Sequence, residues 1–218
     1  LRCGTAVQGS RAYLAVAGGI DVPPVLGSRS THLRTRLGGL EGRALRAGDQ
    51  LAFHPPPLPP ERVKGRSLPW HLRPSYPPQV TVRFLPGPQA GAFTAEAWRR
   101  FETETYTVTS DSDRMGYRLR GPALAHREGA DILSEAIPWG AVQVPGDGQP
   151  IVMMADRQPT GGYTKIAVVI RADIPKLAQL KPGEQVRFQR TTLAEAHRLW
   201  RRQAAVLSSL QLLNRLLA

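Results

Sequence analysis

Residues 132–170 read ILSEAIPWGAVQVPGDGQPIVMMADRQPTGGYTKIAVVI, and this stretch decides the fold. Val142-Gln143-Val144 and Ile151-Val152-Met153-Met154 are short β-prone runs. Between them Pro145-Gly146-Asp147-Gly148-Gln149-Pro150 makes a turn, because Asp-Gly readily supplies the positive φ that tight hairpins need. A polar segment with two adjacent glycines follows over residues 155–165 and leads into the apolar run Ile166-Ala167-Val168-Val169-Ile170. Strand, turn, strand, polar loop and strand in that order would bring Gln143, Gln149, Asp156, Arg157, Gln158, Tyr163 and Lys165 to one end of a sheet. The plain alternative is a hairpin with a long surface connection, since Gly-Asp-Gly and Gly-Gly are common in ordinary turns.

Working upstream, Tyr117-Arg118-Leu119-Arg120 and Glu104-Thr105-Tyr106-Thr107-Val108 read as strands, joined by a tight polar turn over residues 110–116. Thr94 caps a short helix that places Trp98 and Phe101 on one face. Val80-Thr81-Val82-Arg83-Phe84-Leu85 alternates cleanly and reads as a strand. Residues 54–78 are proline-rich, which denies them both helix and central strand and makes them an extended linker. A polyproline ligand for a partner domain is the lesser alternative there. Further back, residues 12–17 are a buried-strand candidate closed by Gly18-Gly19, residues 20–25 are extended, and residues 50–53 form a short strand. Residues 26–31 are small and polar, either a loop or cap or a place where Ser28, Arg29 and Ser30 hold a carboxylate or phosphate.

Downstream, a short helix near residues 176–180 and a strand over residues 185–188 complete the β-rich part. Leu193, Ala196, Leu199, Trp200, Ala204, Leu207, Leu210, Leu213 and Leu217 then recur at spacings of three or four. They form one stripe of an amphipathic helix capped by Thr191 or Thr192, which docks on its own chain or meets a partner helix.

The bulk properties exclude several classes. With 218 residues and 41% hydrophobic content the chain is long and apolar enough for one or two folded domains. No apolar run approaches the roughly 18 residues of a membrane span, and no signal peptide is visible, so no membrane association is expected. The single cysteine, Cys3, permits no internal disulfide and fits a reducing cytoplasm. The net charge of +12 comes from 29 basic against 17 acidic residues. The arginines are spread out and not interleaved with stacking aromatics, so a solvated surface is expected and no nucleic acid. The five histidines form no zinc-ligand spacing, and no metal is expected. There is no GxxxxGK motif of a phosphate loop and no GxSxG elbow.

The run from Gly140 to Phe188, GAVQVPGDGQPIVMMADRQPTGGYTKIAVVIRADIPKLAQLKPGEQVRF, resembles the C-terminal part of the KipA family. That family is also known as allophanate hydrolase subunit 2 and as the C subunit of the bacterial ATP-dependent 5-oxoprolinase. It is similar as well to half of the carboxyltransferase domain of urea carboxylase. Residues 11–49 and 112–119 resemble two earlier parts of the same family, in the same order. The resemblance implies a mainly β fold of cyclophilin-like barrel type, to which the apolar stripe described above adds a C-terminal amphipathic helix. Residues 1–78 would be the remainder of a first barrel plus the linker, 79–190 a second barrel, and 191–218 the helix. An upstream block of the family's first domain is not found here, so the chain is expected to be a fragment. The strand-rich reading with regular turns is independently consistent with a barrel.

The resemblance and the clustering of polar residues together suggest a site for a small amide. Asp156, Arg157 and Lys165 are the expected catalytic residues, with Asp156 or Asp111 as base or orienter. Arg114, Arg157 and Lys165 would stabilise negative charge. Gln143, Gln149 and Gln158 would read an amide. Tyr163 would donate a hydrogen bond, Gly161 and Gly162 would offer backbone amides, and Thr160, Ser28 and Arg29 would complete the binding set. The implied function is one subunit of a complex that opens 5-oxoproline to glutamate with ATP. A KipI-like chain (the B subunit of 5-oxoprolinase) and a LamB/YcsF-like chain (its A subunit) would be the partners. Two alternatives are biotin-dependent carboxyl transfer to an amide such as urea, and a KipA-type regulator antagonising a kinase inhibitor. No tightly bound cofactor is expected; ATP belongs to the complex, and biotin only to the carboxyl-transfer reading. The Ala-Met-Lys-Met motif of a biotin carrier is not in this sequence, which lowers that reading unless another chain supplies the carrier.

Overall fold

The computed structural model describes Arg2 and residues 4–216. Cys3 and Leu217 lie outside the described residues, as does the side chain of Leu213. The chain divides into two compact units, one of Leu1–Ala12 with Pro74–Gln211 and one of Tyr13–Arg73 with Leu212–Ala218.

The first unit is a closed barrel. Its strands are β1 (Gln79–Pro86), β2 (Thr105–Val108), β3 (Gly116–Arg120), β5 (Ala141–Gln143), β6 (Ile151–Met153), β8 (Lys165–Val169) and β9 (Gln185–Arg190), in the spatial order β1-β8-β5-β6-β3-β2-β9. Closure leaves no open edge in this sheet. β1 closes it by pairing antiparallel to β8 at one end and parallel to β9 over Gln79–Phe84. The mainly β reading with a barrel and a C-terminal helix is what the chain adopts.

Alternation drives the barrel. Val80, Val82 and Phe84 of β1 point inward, as do Tyr106 and Val108 of β2, Tyr117 and Leu119 of β3 and Val186 and Phe188 of β9. Helix α2 (Ala95–Thr103) begins at Thr94, whose side-chain oxygen accepts the Ala97 N–H at 3.1 Å, and it covers one side of the barrel. Its Phe101 stacks on Phe188 at 4.3 Å between ring centroids and meets Phe84 edge-on at 5.0 Å. Burying a ring of this kind contributes about 1.5–3 kcal/mol from area alone. The hairpin β5–β6 forms where Asp-Gly requires it, with Gly148 at φ +73°. The short helix α3 (Ile174–Ala178) fills the crossover to β9. Asp173 before it is 1% exposed and is held by both the Arg83 guanidinium, at 2.7 Å, and the Arg83 backbone N–H, at 2.9 Å.

Helix α4 (Leu193–Leu216) starts at Thr192, whose hydroxyl accepts the Glu195 N–H at 3.2 Å. Part of its stripe is covered: Ala196 is buried, and the Arg171 guanidinium lies 4.0 Å from the Trp200 ring centroid, whereas Leu193 at its start is 57% exposed. Leu207, further along the stripe, is 57% exposed.

Two strands depart from the sequence reading. β4 (Asp131–Ala136) and β7 (Thr160–Tyr163) pair with each other outside the barrel, with Glu135 opposite Gly161. The polar loop expected over residues 155–165 is therefore half strand. Its Thr-Gly-Gly-Tyr sequence carries no hydrophobic alternation that would mark it.

The second unit departs from expectation in the other direction. Residues 12–17 and 50–53, expected as strands, do not form ladders among the described residues, and residues 20–25 are non-helical as expected. Only isolated bridges join Ile20 to Phe53, Val25 to Ser28 and His32 to Leu37. A strand needs a neighbour along its length to satisfy its peptide groups, and here the contact is brief: the Asp21 N–H donates to the Ala52 carbonyl at 2.9 Å and the His54 N–H to the Gly19 carbonyl at 3.1 Å. The proline-rich segment contains one helical turn, α1 (Pro60–Val63), and a 3-10 turn at Trp70–Leu72. Pro60 stands at the first helical position, where its missing N–H costs nothing.

Candidate functional site

Barrel register sets a row of side chains level with one another. Arg118 stands opposite Ile151 across β3 and β6, Ile151 opposite Gln143 across β6 and β5, and Gln143 opposite Lys165 across β5 and β8. Thr109, one residue past β2, extends the row, its N–H donating to the Arg118 carbonyl at 2.9 Å. Neighbours directly opposite in a sheet share a face. Tyr117, Leu119, Val142 and Val152 point into the core from the alternate positions, so this row lies on the barrel's outer face.

A cleft of about 540 Å³ opens there. Thr109, Arg118, Ile151 and Gln143 line it, with Met115 and Met153 as further apolar surface. Asp111, Asp113, Asp147, Arg120, Gln149, Gln158 and Tyr163 complete the wall. Two of the acids are engaged in turns: Asp113 accepts the N–H groups of Met115 and Gly116 at 2.8 and 3.1 Å, and Asp147 accepts that of Gln149 at 3.0 Å. A small apolar cluster, Ile137, Ala141 and Met153 with Ile151 against it, supports the cleft from the same outer face.

The β4–β7 flap presses on this face. A Cβ at Gly161 would stand 2.9 Å from Gln143 Nε2 and 2.6 Å from Ile137 Cδ1, so only glycine allows the flap to approach this closely. Across the flap pair, Glu135 reaches Lys165: Oε1 lies 2.8 Å from Nζ. Lys165 is fully buried. At that distance the ammonium and the carboxylate form an ion pair. Gln89 braces the pair, donating from Nε2 to Glu135 Oε1 at 2.7 Å and accepting the Lys165 backbone N–H at 3.2 Å. Lys165 first, and Gln89 second, hold the Glu135 carboxyl below the usual carboxylate range.

Among the described residues, the buried side-chain polar atoms without a hydrogen-bond partner are Thr109 Oγ1 and Gln143 Nε2, while Lys165 Nζ meets only the Glu135 carboxylate. All three belong to the same row. Leaving a buried donor unmade costs about 1–3 kcal/mol, and such atoms in a folded protein call for an explanation. Gln143 is 2% exposed and lines the cleft, and its buried, unused amide Nε2 lies beneath the flap beside Gly161.

The model of the "carboxyltransferase domain, subdomain A and B" family matches residues 1–190. The chain belongs to this family. Within this carboxyltransferase-domain family, it is 44% identical over 190 residues to the C subunit of 5-oxoprolinase from Escherichia coli, covering 87% of this chain and 59% of that one. To the C subunit of 5-oxoprolinase from Haemophilus influenzae it is 40% identical over 211 residues, covering 97% and 66%. The chain thus spans less than two thirds of either relative. The solved K. lactis urea amidolyase matches with a TM-score of 0.74 at 30% identity, over 88% of this chain and 12% of that one.

Of the residues singled out in the sequence, Gln143, Gln149, Gln158 and Tyr163 line the cleft together. Gln149 is occupied: its Oε1 accepts the Gly121 N–H at 3.0 Å and its Nε2 donates to the Gly121 carbonyl at 3.2 Å. Asp156 and Arg114 pair with each other, Nε to Oδ2 at 2.8 Å, at an exposed position outside the cleft lining. Arg157 donates to the carbonyls of Ile137 and Met154, at 2.9 and 3.3 Å, which ties the segment before the flap to the barrel. Lys165 sits behind the flap and not in the cleft wall. Thr160, Gly161 and Gly162 are flap strand, not an open turn. Ser28 and Arg29 belong to the second unit. Ser28 accepts the Ser30 N–H at 3.1 Å, and Arg29 donates to the Val22 carbonyl at 3.0 Å and lines a cleft of about 580 Å³ in that unit. Sequence reasoning missed Thr109, Arg118, Glu135 and Gln89. Alternation around Tyr117 and Leu119 marks Arg118 as outward-facing; no local signal marks the other three.

Proposed function

We propose that the chain is a subunit of a 5-oxoprolinase-type complex, and that the outer-face cleft of its barrel takes the small amide on which the complex acts. The observation that carries this reading is the 44% identity to the 5-oxoprolinase C subunit across 87% of the chain. The cleft supports it chemically: an apolar floor of Ile151, Met115 and Met153 suits ring methylenes, and the unused Gln143 amide suits a carbonyl oxygen. Opening a lactam to an amino acid consumes water, and ATP would drive it within the complex. In this reading KipI-like and LamB/YcsF-like chains complete the assembly, in a cytoplasmic setting. Lys165, held by Glu135 and Gln89, stands opposite Gln143 across β5 and β8 and would stabilise charge on the substrate once the flap moves. Asp156 and Arg157 act through the segment they fix. Among the described residues no helix is long and apolar enough to cross a membrane.

The likeness to K. lactis urea amidolyase favours a second reading, carboxyl transfer to an amide within a larger assembly. A glutamate-release assay with 5-oxoproline, ATP and both partner chains separates the two. The first reading requires glutamate formation that depends on this chain. Its absence with all partners present, alongside urea-dependent turnover of carboxylated biotin, would establish the second.

A further inference from the structure

We infer that Arg118 is a specificity-determining residue of the cleft, selecting ligands that carry a carboxylate beside an amide carbonyl. The inference rests on the cleft being the substrate site and adds the residue that selects among the ligands it takes. Three observations carry it. Arg118 and Gln143 lie in one row on the same outer face, with Ile151 between them, and all three line the cleft. Two strand spacings separate the two backbones by about 10 Å, a span that two long side chains on one face can bridge together with a small ligand. The Arg118 guanidinium makes no hydrogen bond or ion pair among the described residues, and the Gln143 Nε2 is buried and unused.

These groups fit one kind of molecule. Gln143 Nε2 donates and does not accept, so it takes a carbonyl oxygen. A free guanidinium takes a carboxylate, with two parallel N–H donors. Ile151 offers apolar surface to the carbon skeleton joining them. Thr109 Oγ1, the other unpartnered atom of the row in the cleft wall, stands on the carboxylate side, next to Arg118. A neutral amide such as urea would use Gln143 and leave Arg118 and Thr109 without a role. A lactam bearing a ring carboxylate uses all of them.

The test compares 5-oxoproline with 2-pyrrolidinone, the same lactam without its carboxylate, by NMR titration of the full chain. Wild type is expected to bind 5-oxoproline more tightly by about tenfold or more, the worth of one charge-assisted hydrogen bond. Arg118→Gln is expected to abolish that preference while leaving 2-pyrrolidinone binding unchanged. Gln143→Leu is expected to weaken both. Equal affinity of wild type for the two ligands, no saturable binding of either, or a preference that survives Arg118→Gln would overturn the inference. The glutamate-release assay keeps the two proposals apart. Glutamate formation with an unchanged KM for 5-oxoproline in Arg118→Gln removes the inference and leaves the proposed function. Arg118-dependent binding without glutamate formation does the reverse.

Discussion

Glu135 Oε1 lies 2.8 Å from the Nζ of Lys165, and the two come from different parts of the fold, one from the flap and one from the barrel. The contact joins them at the one row of the barrel where, among the described residues, buried polar atoms lack partners. The carboxylate is partly open to solvent while the ammonium is sealed, so water reaches the pair from the flap side only. Any movement of β4 changes the charge environment of Lys165 and the space beside Gln143 together.

Glu135 sits below the usual carboxylate range because of Lys165 and then Gln89. A depressed folded value means that its stabilising contribution is present above the unfolded value of about 4.3. The contribution is lost as pH falls through the lower folded value. Glu135→Gln is therefore expected to melt below wild type at pH 7, with the two melting curves drawing together at acidic pH. A constant gap in melting temperature from pH 7 to pH 3 would contradict the pairing.

Asp173 makes a stronger case because it is 1% exposed. Burial pushes its carboxyl up, but the hydrogen bonds from Arg83 and Lys176 outweigh it and leave the value below the usual range. The stabilisation is again present above about pH 3.9 and disappears as pH falls through the folded value. Asp173→Asn removes one partner of a largely buried pair and is expected to cost about 3 kcal/mol at pH 7, measured by urea denaturation. Below the folded value the variant and wild type should unfold at similar denaturant concentrations.

Legibility in the sequence follows the hydrophobic pattern. β1, β3, β6, β8 and β9 alternate or run apolar between turn residues, and each lies close to where that pattern puts it. α2 announces itself through Thr94. The flap does not, because Thr160-Gly161-Gly162-Tyr163 has no apolar period and its glycine at 161 serves closeness to Gln143. Among the site residues, the glutamines are legible as polar positions beside strands. Asp156 and Arg157 draw attention for the same reason, yet they engage Arg114 and two backbone carbonyls. Thr109 and Glu135 become visible only once register is known, since each meets its neighbour across strands distant in sequence.

Phe101 tests how α2 is held. It is fully buried and stacks on Phe188 while meeting Phe84 edge-on. Phe101→Ala is expected to destabilise the barrel by about 3–5 kcal/mol, through lost transfer energy and the cavity left behind. Phe101→Leu should recover most of that. Equal losses for the two variants would mean that α2 is held by something other than this ring.

Gly161 decides whether the flap's closeness matters for ligand binding. An added Cβ would meet Gln143 Nε2 at 2.9 Å and Ile137 Cδ1 at 2.6 Å, both under normal contact distance. The backbone there does not need glycine for its dihedral angles, since Gly161 is not among the positive-φ positions. The barrel core lies on the other side of the sheet, so the strain falls on the flap and on the Gln143 amide. Gly161→Ala should therefore keep the far-ultraviolet circular dichroism and the melting cooperativity of wild type. It should shift the amide resonances of Gln143 and Glu135 and weaken lactam binding by about tenfold. Gly162→Ala, whose Cβ would stand at 3.2 Å from the Ile132 carbonyl and away from Gln143, is the control and should bind close to normally. If both variants bind like wild type, the flap lies over the cleft without shaping it, and the glycine at 161 serves only the packing of β7 on Ile137.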